Sequence, residues 1–181
     1  MRAEEASACS REIRKRRKKA DIKRDFFNLL LRIVLLALAG WILFSQVFLI
    51  MQAPDNDMFP AVKDGDLIIG FRLQKNCLKD DVVVYETNGE LHVGRIIGKE
   101  TDVIDMDDTG ALLVNGTTQG GEIVFPTYAK EGIEYPYTIP EGCAFILGDY
   151  RTQAEDSRDF GCIKMEDVKA KVITILRRRA I

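Results

Sequence analysis

Beyond residue 52 the sequence has one serine, Ser157, and one histidine, His92. A Ser-His-Asp site needs such residues to meet in space, and neither neighbourhood favours it. Ser157 lies in "AEDSRDFG", between Asp156 and Arg158, where a short hydroxyl ordinarily bonds turn backbone. His92 sits in an alternating, strand-like run and reads as a half-buried surface residue. Cysteine is scarce too. The four cysteines include no C-x-x-C pair and no metal-ligand spacing. Cys9 precedes the apolar stretch; Cys77, Cys143 and Cys162 follow it. The three outer cysteines sit in strand-like or turn contexts with no evident activating partner, so they read as small core residues, with Cys143–Cys162 the best candidate for a disulfide. There is no internal repeat and no low-complexity segment.

Net charge is almost absent, at −2, but it is unevenly divided. Residues 1–24 carry ten Lys/Arg against four Asp/Glu, a net +6, which leaves −8 for residues 25–181. Next to the basic head lies "IVLLALAGWILFSQVFLIM", Ile33 to Met51, 19 residues without a charge or a proline. That length can cross a hydrocarbon core as a helix, and Arg32 at its edge can snorkel to the headgroups. The positive-inside rule then places the N-terminus in the cytoplasm and residues 53–181 outside. A cleaved signal peptide is the rival, but the apolar region is long for one and no good small-x-small site follows Met51. The basic run is a topology signal, and no nucleic-acid partner is expected. The expected organisation is a basic cytoplasmic segment (1–24), a transmembrane helix (25–52) and an extracytoplasmic domain (53–181).

The outer domain reads as mainly β. Short apolar runs end in turn signals, which predicts strands at 66–71, 81–86, 90–98, 102–106, 111–116, 122–126, 143–149 and 169–176. One helical turn is expected at "KMEDV", 164–168. No long 3.6-residue stripe occurs, so the expected fold is an all-β barrel or folded sheet.

Two stretches are constrained in composition. "QAPDNDMFPAVKDGD", Gln52 to Asp66, sets a Met-Phe-Pro step among aspartates. "ILGDYRTQAEDSRDFG", 146–161, packs Gly, Asp and Arg around a reversal, and Asp149, Arg151, Asp156 and Arg158 could form a buried ion-pair network. Such a network needs complete pairing, because one buried unpaired charge is costly. Hard cations favour clustered carboxylates such as Asp55, Asp57, Asp64 and Asp66. The spacing is not that of a calcium loop, and neither metal nor cofactor is expected.

At these two stretches the sequence resembles the type I signal peptidases, membrane-anchored serine proteases with a Ser/Lys dyad. The family's Ser-Met-x-Pro step corresponds to "DMFP", Asp57 to Pro60. Its Lys-Arg-x-x-Gly strand corresponds to "GRIIG", Gly94 to Gly98, and "VNG" follows at 114–116. Its Gly-Asp-Asn-Arg block corresponds to "GDYRTQAEDSRDFG", Gly148 to Gly161. Order and spacing agree over residues 33–176. The resemblance implies a signal-peptidase-like β domain behind a single N-terminal transmembrane helix. It also implies a peptide groove in which Met58, Phe59, Pro60, Arg95, Gly148, Asp149, Arg151, Asp156, Ser157 and Arg158 keep the family's motif. Met58 and Phe59 are expected on its apolar lip, and Phe125 or Tyr128 against the membrane.

The family's catalytic residue types are all exchanged. Asp57 stands at the nucleophile, Gly94 at the general base, Ala154 at the base-supporting serine and Asp55 at the oxyanion position. A carboxylate is a poor nucleophile toward an amide, and extra negative charge opposes a developing oxyanion. Similar exchanges occur in signal-peptidase-like proteins of Gram-positive pilus gene clusters. The implied expectation is a chain that is not an enzyme: a chaperone-like factor in sortase-dependent pilus assembly, with pilin subunits, a sortase and the lipid bilayer as partners. Two alternatives stay open. One is an active signal peptidase with substitute groups that cleaves signal peptides from preproteins. The other is a metal- or carboxylate-based hydrolase built on Asp55, Asp57 and Asp156.

Overall fold

The computed structural model describes residues 2–74, 76–120 and 125–177, with side-chain exposure from residue 23 onward. The chain divides into two compact units, Met1–Ser45 and Gln46–Ile181. Helix α1, Arg2–Val47, is rich in Ala, Leu, Lys and Arg, all strong helix formers, and contains no proline. Within it Lys23–Val47 is long and apolar enough to cross a membrane. Its large side chains are bare, with Leu36 74% and Trp41 72% exposed. At 1.5 Å per residue the span is roughly 37 Å, against about 30 Å for a hydrocarbon core. The apolar run continues to Met51, but the helix does not. Phe48–Gln52 form strand β1 instead, since each of its residues has a partner in the second strand.

The second unit is built on a seven-stranded antiparallel sheet. Its strands are β1, β2 (Leu67–Phe71), β3 (Val82–Thr87), β4 (Glu90–Lys99), β9 (Cys143–Leu147), β10 (Ile163–Lys164) and β11 (Val168–Leu176), in the order β1-β2-β11-β3-β4-β9-β10. A four-stranded sheet takes β5 (Val103–Met106), β6 (Leu112–Val114), β7 (Thr117–Thr118) and β8 (Tyr137–Thr138), in the order β7-β6-β5-β8. The hairpins are written in the sequence. Asn88-Gly89 and Asn115-Gly116 all have positive φ, at 52°, 83°, 52° and 74°. That pairing matches the right-handed strand twist in two-residue turns and favours Asn-Gly. "VNG" is therefore the β6–β7 turn.

Three departures from the sequence reading have local causes. "KMEDV" holds no helical turn: Lys164 ends β10, and a turn closed by Asp167 N donating to Lys164 O (2.9 Å) leads into β11. The short helix α2 is instead Ser157–Phe160, started by Asp156. Of the strand expected at 122–126, residues 122–124 lie outside the described residues, and Phe125–Pro126 are not in a strand.

The core has three parts. Val83, Tyr85, Ile96, Ala144, Ile146 and Ile163 cover one face of the large sheet with Cys77. On the other face Met58, Val62, Ile68, Val84 and Val93 tuck the 53–66 loop down. The third joins the two sheets: Phe145 and Leu147 of β9 pack with Ile97 of β4 and with Ile104, Leu112, Val114 and Ile139. Cys77, Cys143 and Cys162 are free thiols, so the expected Cys143–Cys162 disulfide is absent. Cys143 is pushed up to about 11 by burial and by its hydrogen-bonded neighbour Cys162.

Phe145 is fully buried at the junction of the sheets. Phe145→Ala is expected to cost about 3–5 kcal/mol. Urea unfolding followed by far-UV circular dichroism should show the lowered midpoint.

Candidate functional site

The site begins with the loop after β1. Ala53 N donates to Asp66 O (2.8 Å) and Gly65 N to Ala53 O (3.1 Å), which close the loop at its base. Inside it the Asn56 side chain accepts from Asp64 N (3.0 Å), and Phe59 N donates to Asn56 O (2.9 Å). Met58 is only 1% exposed and belongs to the core, not to the groove lip. Val62, Val84 and Val93 surround it, so it anchors the loop from beneath. Phe59 leans on the Tyr150 ring (centroids 5.7 Å), with the Lys63 ammonium 5.5 Å from its own centre. Pro60 follows through a cis peptide bond.

This packing fixes Asp57 from both sides. Its carbonyl accepts from Tyr150 N (2.8 Å), and its carboxylate Oδ2 accepts from Glu155 N (3.1 Å). Its own N–H donates to Asp55 Oδ1 (3.0 Å). Gly148 passes close behind. A Cβ there would stand 2.6 Å from Asp57 O and 2.3 Å from Ala154 Cβ, so only glycine allows the approach. Asp57 is pushed up to about 6, first by burial, then by the charge of Asp55; Asp156 and Glu155 add to this and the Glu155 N–H opposes it.

His92 completes the group. Asp55, Asp57 and His92 each offer a ligand atom, all within 4.8 Å of one another. The imidazole is held by ring contacts: it stacks on its cross-strand partner Tyr85 (5.6 Å, 22°) and meets Phe160 at 5.4 Å. Its Nδ1 is buried and, among the described residues, has no hydrogen-bond partner. The trio could hold a divalent cation, a geometry the sequence spacing did not disclose. A cleft of about 700 Å³ opens here, lined by Met51, Pro54, Asp55, Asp57, Glu90, Leu91, His92, Gln153 and Glu155.

Gly94 is no open gap. A Cβ would meet Ile146 Cγ2 at 2.5 Å and Tyr85 Cε1 at 3.2 Å. Ala154 is fully buried, and its carbonyl accepts from Lys130 Nζ (2.7 Å). Ser157 is fully buried as well, and its Oγ accepts from Ile146 N (2.9 Å), which ties α2 to β9.

The arginines differ from the expected network. Arg95 reaches in from β4 and takes Asp149 with two bonds, Nε to Oδ1 (2.8 Å) and Nη2 to Oδ2 (2.7 Å). Arg158 takes Asp156 the same way, at 2.9 and 2.8 Å. Arg151 is left out of both pairs and donates Nη1 to Thr127 Oγ1 (2.9 Å). The cause is reach: on β4, Arg95 is the register partner of Leu147, two residues before Asp149. The aromatics Phe59, Tyr150 and Phe125 form one cluster, and Tyr128 is 49% exposed.

The profile of the family described as "Signal peptidase, peptidase S26" matches residues 26–176. The chain belongs to that family. It is 30% identical over 133 residues to signal peptidase I of Bacillus caldolyticus, covering 65% of this chain and 72% of that protein. It is 28% identical over 131 residues to a probable thylakoidal processing peptidase 2 of Arabidopsis thaliana. There 64% of this chain is matched, but the chain spans only 34% of that longer protein. A crystal structure of a signal peptidase I from Enterococcus faecalis V583 aligns with 55% of this chain and 97% of that one, at 26% identity and a TM-score of 0.47.

These relatives are named as peptidases, and they overturn the expectation of a chain that is not an enzyme. That expectation rested on the four exchanged positions, with a carboxylate read as a poor nucleophile and its charge as unfavourable to an oxyanion. In the folded chain Asp57 carries a carboxyl pushed up to about 6, with ligand atoms of Asp55 and His92 within 4.8 Å.

Two predictions follow from the geometry. Asp57 has a folded pKa above its ordinary value of 3.8. Its charge therefore opposes folding above about pH 6, and the penalty fades as pH falls toward 3.8. Asp57→Asn should stabilise the protein by about 1–2 kcal/mol at pH 7.5, discounted for partial solvent screening, and by almost nothing at pH 3.5. Urea midpoints at the two pH values check it. Gly94→Lys, which restores the family's residue type, should destabilise by about 1–3 kcal/mol through overpacking against Ile146. The same unfolding measurement reads it.

Proposed function

We propose that this chain is a membrane-anchored signal-peptidase-type endopeptidase that works with substitute groups at the dyad positions. The observation that carries the reading is the convergence of Asp57, Asp55 and His92 on one open cleft, with Asp57 pushed up to about 6. A carboxylate does not readily attack an amide, so water is the nucleophile in this scheme. Asp57 in its charged form accepts a proton from that water. A general base works best when its pKa lies near the working pH, and such assistance is typically worth about 10²–10⁴ in rate. Asp55 holds the Asp57 backbone through its N–H (3.0 Å) and sets the carboxyl's titration. In this scheme His92, in the same group, gives a proton to the leaving amine.

The substrate class is an extended segment of an exported preprotein. Met51, Pro54 and Leu91 give the cleft an apolar side suited to small apolar residues. In this proposal the apolar helix is the anchor, with the basic N-terminus cytoplasmic and the β domain at the outer face.

A second reading concerns the client. The cleft mouth gathers Asp55, Asp57, Glu90 and Glu155, which suits a cationic group on a partner. Pilin subunits or a sortase, handled during pilus assembly, would be such partners.

The deciding experiment uses the full chain in lipid with a membrane-presented preprotein, and mass spectrometry of the products. Cleavage is expected to rise through a midpoint near pH 6 and to fall at least about 100-fold in Asp57→Ala. No product between pH 5 and 8, under conditions where a signal peptidase with Ser and Lys cleaves, would sink the proposal. Loss of cleavage in chelator would transfer the role of Asp55, Asp57 and His92 from proton transfer to cation binding. Cross-linking of a pilin to the cleft, with cleavage of that pilin in the same assay, would favour the second reading.

A further inference from the structure

The Asp57 carboxyl is linked to Lys130 through one peptide group. Asp57 Oδ2 accepts from Glu155 N (3.1 Å). The carbonyl across that same peptide bond belongs to Ala154, and its oxygen accepts from Lys130 Nζ (2.7 Å). Ammonium, peptide and carboxylate therefore form one continuous chain of hydrogen bonds.

A docked segment places the lysine. Residues 127–130 lie along the 148–161 block. Thr127 Oγ1 accepts from Arg151 Nη1 (2.9 Å), and Tyr128 O accepts from Arg158 Nη1 (3.3 Å). Both arginines are 2% exposed, so these anchors are interior. A lysine normally keeps its charged head in water. Here the Lys130 side chain is 29% exposed, and its ammonium meets two protein acceptors. The second is the Asp159 carboxylate, which also accepts from Asp156 N in the capping box of α2.

An ammonium on a peptide oxygen has two effects. It draws electrons toward that oxygen, and the conjugated C–N bond passes the pull to the N–H. Hydrogen bonds in such a chain strengthen one another by roughly 10–30% each. It also fixes the peptide plane, and with it the direction of the Glu155 N–H. That donor matters to Asp57. The charges of Asp55, Asp156 and Glu155 all oppose the Asp57 charge, and the Glu155 N–H works against them.

We propose that Lys130 is a positioning residue for Asp57, which it orients through the Ala154–Glu155 peptide group. The inference rests on the reading of Asp57 as the general base. Pinning Oδ2 sets the direction of the other oxygen, which takes the proton in that reading. Lys130 is not among the described residues that line the cleft, so its effect on turnover passes through the peptide.

The test compares the full chain in detergent micelles, labelled with ¹³C and ¹⁵N, with Lys130→Met, Lys130→Arg and Asp159→Asn. Two signals are read by NMR: the Glu155 amide proton and the Ala154 carbonyl carbon. Preprotein cleavage is measured on the same proteins in lipid. In Lys130→Met both signals should move upfield. Its kcat should fall about tenfold with KM unchanged, since a misaligned group costs rate and not binding. Lys130→Arg keeps a cationic donor and should restore signals and rate. Asp159→Asn breaks the ion pair but leaves Lys130 on Ala154 O, and its amide oxygen still accepts from Asp156 N. It should leave both signals in place and kcat within about twofold. Lys130→Gln, which removes the charge and shortens the reach, replaces Lys130→Met if that variant does not fold. Unmoved signals in the Met or Gln variant would overturn the proposal. So would an Asp159→Asn protein that reproduces their effects, since the lysine would then serve the ion pair alone. If the unaltered chain cleaves nothing, the general-base reading falls, and the two signals alone decide whether Lys130 holds the Glu155 N–H.

Discussion

The Asp156 carboxylate is the joint on which the rest of the domain depends. It is 1% exposed, and both oxygens are fully used. Oδ1 accepts from the backbone N–H and Nε of Arg158, and Oδ2 accepts from Nη2 of Arg158 and from Gly148 N (3.1 Å). One group thus caps α2, neutralises a buried arginine and holds the end of β9. Removing one partner of a buried pair typically costs about 3–5 kcal/mol, because the other charge is stranded. Asp159 returns the contact by accepting from Asp156 N (3.0 Å), which completes a capping box on a helix of only four residues. Such a short helix has little stability of its own, so its position is set by this ion pair and by Ser157.

The joint reaches the cleft through Gly148. Asp156 fixes the Gly148 backbone, and Gly148 lies against the carbonyl of Asp57. The next residues continue the contact, since Tyr150 and Glu155 donate their N–H groups to Asp57. Asp57 is therefore placed by rigid backbone from two segments that are far apart in the chain. A loop held this way loses little freedom when a peptide enters the cleft, and that order is what a positioned carboxyl needs.

Much of this was legible in the sequence, but unevenly. Alternation and Asn-Gly turns marked the strands and hairpins because those signals are local. The end of α1 was not legible, because an apolar residue at 48–51 serves a spanning helix and a buried strand equally well, and only pairing with β2 separates them. The motif block placed Asp156, Ser157 and Arg158 together, since their spacing is short. The partner of Asp149 was missed: Arg95 is 54 residues away and arrives through sheet register. The cleft group was missed for the same reason. His92 reads as an ordinary strand residue until β4 is set beside the 53–66 loop and Tyr85 is stacked against it.

The exchanges at 57 and 94 act as one unit. A lysine rooted at residue 94 would enter the surroundings of Tyr85, where the charges of Asp156, Asp57 and Asp55 all act on the phenol. A cation there would hold the Asp57 carboxyl down by direct attraction. With glycine, the Tyr85 ring and Ile146 close over the strand, and no cation is among the groups that shift Asp57. Burial and Asp55 then prevail and push the carboxyl up to about 6. The packing that closes over Gly94 thus keeps a charged neighbour away from Asp57.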